Sequence, residues 1–155
     1  VTKIVQQINA DFKNEVPVFI WVLNGSFMFV SDFMKQYKSP CELSFIKMAS
    51  YEGISSTEEV KQLIRINHDL TNRVVVVLED IVDTGNTLVE LKQLFEKQNV
   101  KEFKIATLFF KPEAYKKEIA IDYIGVRIPN KFIVGYGLDY DGFGRNLPEV
   151  YQLKE

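Results

Sequence analysis

Continuous apolar runs alternate along this chain with segments that have a helical period. The runs show almost no polar alternation, which is typical of strands covered on both faces of a parallel sheet. They are Val18 to Leu23, Val74 to Leu78, Lys104 to Phe110 and Tyr123 to Ile128. The helical segments are Ile4 to Asn14, Phe27 to Tyr37 and Leu88 to Gln98. This alternation predicts an α/β fold with a mainly parallel twisted sheet flanked by helices.

Three further segments have a less regular pattern. Glu42 to Ser50 and Val60 to Ile66 are strand candidates, and the polar, glycine-containing Tyr51 to Glu59 between them is typical of a loop. Val150 to Leu153 is a candidate for a short closing strand. His68, the only histidine, lies in a turn with no second ligand-type residue nearby in sequence, so we expect it at the surface.

Composition limits the class of protein. A chain of 155 residues with 46% hydrophobic residues suits one globular domain over residues 1–155. The net charge of −2 gives no electrostatic footprint for nucleic acid or an anionic membrane. The single cysteine, Cys41, excludes an internal disulfide, is expected to pack rather than react, and fits the reducing cytoplasm. Because the chain starts at Val1 rather than Met, we expect a truncated N-terminus.

The turn after the central apolar run carries the clearest candidate chemistry. Glu79, Asp80 and Asp83 place three carboxylates within five positions, and Asp83 to Thr87 leads into a helix. Backbone N–H groups at a helix start bind phosphate, and a glycine in the turn permits close approach. Carboxylates beside a phosphate site suit ligand hydroxyls and a divalent metal. The turn therefore predicts a sugar phosphate bound with magnesium; the alternative is a connection whose Asp and Thr only cap the helix.

The segment LEDIVDTGNT resembles the phosphoribosyl pyrophosphate signature of the type I phosphoribosyltransferase family. From about Ile4 onward the chain is most similar to the hypoxanthine-guanine members of that family, which implies their fold with a small C-terminal hood. The resemblance implies that Glu79 and Asp80 bind the ribose hydroxyls and a metal. It also implies that Asp83 acts as the general base. The 5-phosphate would be held by Asp83, Thr84, Gly85, Asn86 and Thr87.

Two loops match other parts of the family pattern. The turn containing Asn24 and Gly25 offers backbone N–H groups before a helix, and the resemblance implies that it binds pyrophosphate. Asn24 stands where the family commonly has Lys or Arg, and a plain strand-to-helix turn is the alternative. Ser50 and Tyr51 match a lid that keeps water from the reaction; without the resemblance this stretch reads as an exposed loop.

Five residues of the last third match the base-binding and metal-binding segments. The resemblance implies that Lys111 donates to the purine 6-oxo group, that Phe132 stacks on the ring, and that the Ile133 backbone meets the base edge. It implies that Asp139 lies at the purine and holds a magnesium ion, and that Arg145 binds the pyrophosphate. The alternatives are a solvated lysine, a core phenylalanine and a surface ion pair between Asp139 and Arg145.

The resemblance implies a purine salvage enzyme that transfers the 5-phosphoribosyl group from phosphoribosyl pyrophosphate to N9 of hypoxanthine or guanine. The products would be IMP or GMP and pyrophosphate, and the cofactor Mg²⁺. The family implies a homodimer or homotetramer. Two alternatives stay open: a non-catalytic regulator that senses the ligand, and an enzyme of the same fold that uses a different base.

Overall fold

A computed structural model describes residues 1–48 and 62–154, with the side chain of Gln62 excepted. The helices are α1 Thr2–Asp11, α2 Phe27–Gln36 and α3 Asn86–Lys97. The main strands are β1 Val18–Val22, β2 Glu42–Met48, β3 Gln62–Ile64, β4 Val74–Val82, β5 Glu102–Phe110 and β6 Tyr123–Arg127. Two short strands follow, β7 Ile133–Val134 and β8 Tyr151–Gln152. In this described part, no helix is both long and apolar enough to cross a membrane.

The main strands form one six-stranded sheet in the order β3-β2-β1-β4-β5-β6. All neighbours pair in parallel except β2 and β3, which are antiparallel. The predicted mainly parallel sheet is therefore confirmed. The carboxyl ends of β1, β4 and β5 lie side by side at one edge, which is where open α/β sheets bind ligands.

The central strand β4 is buried on both faces, as its uninterrupted valine run predicted. Successive side chains of a strand point to opposite faces. Val74, Val76 and Leu78 join the core under α1 and α2. Val75 and Val77 join the core under α3. This double burial fixes the position of the strand from which the candidate site begins.

Each helix buries the apolar stripe that its spacing predicted. The buried residues are Ile4, Val5 and Ile8 in α1, Phe29, Val30 and Phe33 in α2, and Leu88, Leu91 and Phe95 in α3. Aromatic rings from β1 and α2 pack against one another in the core under α1 and α2. Trp21 meets Phe29 and Phe33 edge-on, with ring centroids 5.1 and 5.2 Å apart.

Strand β4 extends further than its apolar run. It continues to Val82, paired with β5 as far as Val82 and Phe110, so Glu79 and Asp80 lie within the sheet rather than in a turn. The sequence placed the strand end at Leu78 because carboxylates are depleted in strands. Pairing with a nine-residue neighbour outweighs that preference.

Residues 132–153, here called the hood, fold back over the carboxyl edge of the sheet. Strands β7 and β8 pair antiparallel, which confirms the closing strand predicted near Val150 to Leu153. The hood backbone turns sharply at Gly135, Tyr136 and Gly137, which all have positive φ. Further hydrogen bonds join Tyr136 N to Leu147 O (2.8 Å) and Gly137 N to Arg145 O (3.0 Å).

The structure shows the surroundings of Cys41 and His68, for which the sequence predicted a packing residue and a surface residue. Cys41 is half-buried and packs against the core under α1 and α2, as expected of a packing residue. His68 is only partly exposed, and its Nε2 lies 3.6 Å from Glu42 Oε2. His68 thus lies at the surface as expected, whereas its contact with Glu42 was not predicted, because Glu42 is remote in sequence and is brought close by the start of β2.

Candidate active site

A cleft of about 320 Å³ lies between the hood and the carboxyl ends of the central strands. It brings together eight of the residues singled out from the sequence, together with Ile81 and Leu138. The eight are Gly25, Asp80, Asp83, Lys111, Phe132, Ile133, Asp139 and Arg145. Residues up to 120 positions apart thus share one site, as expected for the edge of a parallel sheet.

Asp80 points into this cleft from the end of β4, although only 9% of it is exposed. Burial raises the pKa of Asp80 from 3.8 to about 6, and the nearby Asp139 carboxylate adds a smaller raising effect. Backbone N–H groups and the Arg145 guanidinium act against that shift. Asp80 therefore holds its proton up to about pH 6, and a cation or a hydrogen-bond donor in the cleft would favour its ionised form.

Glu79, the other member of the predicted acidic pair, lies outside the cleft lining. It follows the alternation of β4, so its side chain belongs to the opposite face from that of Asp80. Burial raises the pKa of Glu79 well above its ordinary value, with a further contribution from Asp80. The structure thus separates two carboxyl groups that the sequence treated as one pair.

The loop after β1 approaches Asp80 so closely that only glycine fits at position 25. A Cβ on Gly25 would lie 1.7 Å from Asp80 Oδ2. Ser26 is fully buried, and its hydroxyl donates to Val22 O at 2.5 Å. Asn24 is exposed and lies outside the cleft lining, and its peptide bond with Leu23 is cis.

The Asp83 to Thr87 turn ends at the start of α3. Gly85 is the N-cap with φ of +80°, and no side chain in the described part of the chain makes a capping hydrogen bond there. The alternative that the Asp and Thr only cap the helix is therefore not what the structure shows. Thr84 and Asn86 are exposed and Thr87 is half-exposed, so these polar groups face solvent beside the cleft.

Lys111 is buried at the end of β5 and forms an ion pair with Asp83. Its Nζ donates to Asp83 Oδ2 at 3.1 Å, and only 6% of the residue is exposed. The alternative of a solvated lysine is excluded. Both residues were singled out from the sequence, but their contact was not predicted. The available signal was that each follows the end of a long apolar run, so their strands could be neighbours.

The hood supplies the remaining side chains of the cleft. Phe132 is 49% exposed, which excludes core packing, and Tyr140 meets its ring edge-on with centroids 5.6 Å apart. Arg145 Nη2 lies 2.7 Å from Asp139 Oδ1, and Arg145 Nη1 donates to Gly137 O at 2.8 Å. The alternative ion pair between Asp139 and Arg145 is thus present, but inside the cleft.

The carboxylates of the cleft would suit a magnesium ion carried by a phosphate-bearing ligand. Asp80 and Asp139 both line the cleft, and the Asp139 carboxylate contributes to the raised pKa of Asp80. Residues 1–48 and 62–154 contain no cluster of three or more metal-ligating His, Cys, Asp or Glu side chains. Magnesium is commonly held by one or two carboxylates together with substrate phosphates, so this donor set suits it.

The predicted lid residues Ser50 and Tyr51 lie outside the described residues. Their proposed role in excluding water stays a prediction.

Comparisons with known proteins agree with this geometry. A family model described as a phosphoribosyl transferase domain matches residues 1–141. The hypoxanthine-guanine phosphoribosyltransferase of Streptococcus pyogenes serotype M3 is 42% identical over 154 residues, 99% of this chain and 86% of its own. That of Streptococcus thermophilus is 41% identical over 151 residues, 97% of this chain and 84% of its own.

Solved structures give the same result. A crystal structure of a hypoxanthine-guanine phosphoribosyltransferase from Bacillus anthracis with a HEPES molecule in the active site has a TM-score of 0.91 and 39% identity. It covers 99% of this chain and 91% of its own. A hypoxanthine phosphoribosyltransferase from Staphylococcus aureus has a TM-score of 0.89 and 35% identity, over 99% of this chain and 86% of its own.

Proposed function

The chain belongs to the phosphoribosyl transferase family, and on this premise we propose that it transfers the 5-phosphoribosyl group of phosphoribosyl pyrophosphate to N9 of hypoxanthine or guanine. The products are IMP or GMP and pyrophosphate, which makes the protein a purine salvage enzyme. The observation that carries this proposal is the ion pair between Asp83 and Lys111 in the cleft that Phe132 also lines.

That pair offers complementary groups to one edge of a 6-oxopurine. An ammonium only donates hydrogen bonds, so Lys111 favours the 6-oxo oxygen and disfavours the 6-amino group of adenine. A carboxylate only accepts, so Asp83 suits the N7 proton that the base loses as N9 forms its bond. The exposed face of Phe132 provides a surface on which the flat ring stacks.

The donor is bound by groups around the other end of the cleft. The start of α3, with Thr84, Gly85, Asn86 and Thr87, receives the 5-phosphate, since orphan N–H groups there point at an anion. Asp80 accepts hydrogen bonds from the ribose hydroxyls. Backbone groups at Gly25 and the Arg145 guanidinium meet the pyrophosphate.

Magnesium is the proposed cofactor, with Asp80 and Asp139 as its protein ligands. Bound with the donor, it supplies positive charge that stabilises the departing pyrophosphate. The hood and the proposed lid at Ser50 and Tyr51 keep bulk water from the reactive sugar, which would otherwise be hydrolysed.

A steady-state assay with magnesium, phosphoribosyl pyrophosphate and each of hypoxanthine, guanine, xanthine and adenine tests the proposal. We expect turnover of hypoxanthine or guanine well above that of adenine. Adenine turnover above hypoxanthine would instead favour an enzyme for a different base. Donor binding without turnover of any base would favour the non-catalytic regulator.

The cellular setting is a separate part of the proposal. We propose a cytoplasmic homodimer or homotetramer that binds neither nucleic acid nor membrane. The support is the single half-buried cysteine, the near-neutral charge and the family resemblance. Light scattering coupled to size-exclusion chromatography measures the oligomeric state, and a monomeric mass would contradict it.

A further inference from the structure

The proposed pyrophosphate site consists of two parts that belong to different regions of the chain. The Gly25 loop follows β1 and leads into α2, whereas Asp139 and Arg145 belong to the hood. The two parts touch through their backbones at Gly25 and Gly137. A Cβ on Gly137 would lie 2.0 Å from Gly25 O, so the hood backbone rests directly on the loop carbonyl.

Gly137 also makes two hydrogen bonds with Arg145. Arg145 Nη1 donates to Gly137 O at 2.8 Å, and Gly137 N donates to Arg145 O at 3.0 Å. Arg145 in turn pairs with Asp139. Any shift of Gly137 relative to Gly25 therefore moves both charged hood residues relative to the loop.

Tyr136, which precedes this glycine, ties the hood to the body of the protein. Its hydroxyl donates to Asp32 Oδ2 on α2 at 2.6 Å, across 104 positions of sequence. Helix α2 begins at Phe27, immediately after the Gly25 loop. The hydrogen bond therefore joins the hood to the helix that continues from the opposing half of the site.

The backbone of Tyr136 is unusual for a residue with a side chain. Its φ is +52°, in the left-handed region that residues other than glycine rarely adopt. Such conformations persist where the surrounding structure enforces them, and they concentrate at functional sites. Burial and the hydrogen bond to Asp32 raise the pKa of Tyr136, and the same hydrogen bond lowers the pKa of Asp32. The contact therefore stays intact at the pH of an assay.

We propose that Tyr136 is a positioning residue, which through Asp32 fixes Gly137 against Gly25 and so sets the spacing between the two halves of the pyrophosphate site. The inference rests on the proposed function, because it assigns that cleft to the pyrophosphate end of the donor. Tyr136 itself does not line the cleft, so it acts through its neighbours.

A second tyrosine of the chain provides a matched control. Tyr123 on β6 donates to Asp11 Oδ2 at 2.7 Å and ties the sheet to α1. Its pKa is raised by burial and by Asp11, as that of Tyr136 is by burial and Asp32. Neither Tyr123 nor Asp11 lines the cleft. Tyr123→Phe thus removes an equivalent hydroxyl contact without touching the hood.

The experiment compares Tyr136→Phe, Asp32→Ala, Asp32→Asn and Tyr123→Phe with the unmodified chain. Calorimetry measures the binding of magnesium pyrophosphate, steady-state kinetics gives KM for donor and base, and thermal denaturation gives stability. We expect Tyr136→Phe and Asp32→Ala to weaken pyrophosphate binding and raise donor KM about 10-fold, with base KM unchanged. Asp32→Asn keeps an acceptor oxygen and should remain close to the unmodified chain.

The double variant Tyr136→Phe/Asp32→Ala sharpens the comparison, because its loss should equal that of either single variant if both act through one contact. Tyr123→Phe should lower thermal stability but leave pyrophosphate binding unchanged. If Tyr136→Phe lowered stability as Tyr123→Phe does and left pyrophosphate binding and donor KM unchanged, the contact would be structural only and the inference overturned.

The outcomes also separate the inference from the proposed function. An unmodified chain that binds magnesium pyrophosphate but turns over none of the four bases overturns the proposed function. In that case the binding comparison among the variants still decides the role of Tyr136.

Discussion

Asp80 is a buried carboxyl group whose raised pKa, like that of the buried Glu79, makes the stability of this protein depend on pH. Its pKa is raised from 3.8 to about 6, so the folded chain holds this proton more tightly than the unfolded chain does. The stability that it contributes is full below about pH 4 and is lost as pH rises through about 6. Above that pH, the folded protein carries a charge that it holds at a cost.

We predict that Asp80→Asn stabilises the fold at neutral and alkaline pH, since an amide has no charge to bury. The gain should be larger at pH 8 than at pH 5 by about 1 to 2 kcal/mol. Urea denaturation of both proteins at the two pH values measures this difference. Equal effects at both pH values would show that Asp80 titrates normally. Binding of phosphoribosyl pyrophosphate should weaken in the same variant, because the side chain proposed to bind the ribose hydroxyls is altered.

Asp83 supports a second prediction at this scale. Asp83→Asn should lower kcat about 10²- to 10⁴-fold, because an amide cannot take the N7 proton. Binding of the donor, followed by calorimetry, should survive because the start of α3 stays in place. Unchanged turnover would remove Asp83 from the role of base.

At the scale of elements, the sequence predicted the existence of strands and helices better than their ends. Buried strands and amphipathic helices leave periodic signals, and all of those between Thr2 and Arg127 that fall on described residues are present. The extension of β4 through Glu79 and Asp80 leaves no such signal, because it depends on pairing with β5. For the same reason the separation of the two carboxyl groups onto opposite faces was missed.

The contacts within the candidate site show the same limit. Its residues were named from one acidic motif, from strand ends and from the family resemblance of the C-terminal segment, and eight of them share the cleft. Their pairings, Lys111 with Asp83 and Arg145 with Asp139, depend on which strands are neighbours and on how the hood folds back. Local patterns of apolar and polar residues reveal neither which strands are neighbours nor how the hood folds back.

The approach of the β1 loop to β4 yields a prediction for Gly25→Ala. The new methyl group would overlap the Asp80 carboxyl, which is too buried to swing away freely. We expect Asp80 to be displaced and kcat/KM for the donor to fall about 100-fold, since small misplacements of binding groups are costly. Kinetics and a thermal melt distinguish this loss from unfolding.

Gly142→Ala provides the comparison for that variant. Nothing in the described part of the chain lies within 4 Å of a Cβ at Gly142, although its φ of +84° makes the substitution strained. Because Gly142 N also donates to Asp139 Oδ2 at 2.8 Å, we expect lower stability and a loss of kcat/KM much smaller than that of Gly25→Ala. A similar kinetic loss in both variants would mean that the Gly25 effect is not specific to Asp80.

At the scale of the whole molecule, Trp21 reports on the packing of the sheet. It is the only tryptophan, it is fully buried in β1, and α2 covers it. We predict blue-shifted emission that donor binding leaves unchanged and that urea shifts to the red. The transition should coincide with the loss of far-UV circular dichroism, since β4 belongs to both cores and joins them into one cooperative unit. Two separate transitions would show that the α3 face unfolds independently.

The order of the six strands is the property that the sequence specified least. Periodicity reveals that strands are buried, but not which strand lies beside which. The observed order places β1 and β5 on either side of β4, and this arrangement is what gathers Gly25, Asp80 and Lys111 at one edge.

The ion pairs of the cleft have a consequence for how charge enters it. Among the described residues, the cations that line it, Lys111 and Arg145, are each already matched by an internal counter-ion, and Asp80 is mostly protonated below about pH 6. The positive charges of Lys111 and Arg145 are therefore already neutralised by carboxylates of the protein before an anion binds. A bare polyphosphate must displace a carboxylate to gain a cation, whereas one that carries its own divalent metal gives the released carboxylates a new partner. We therefore expect the cleft to favour the metal-loaded form of the proposed donor.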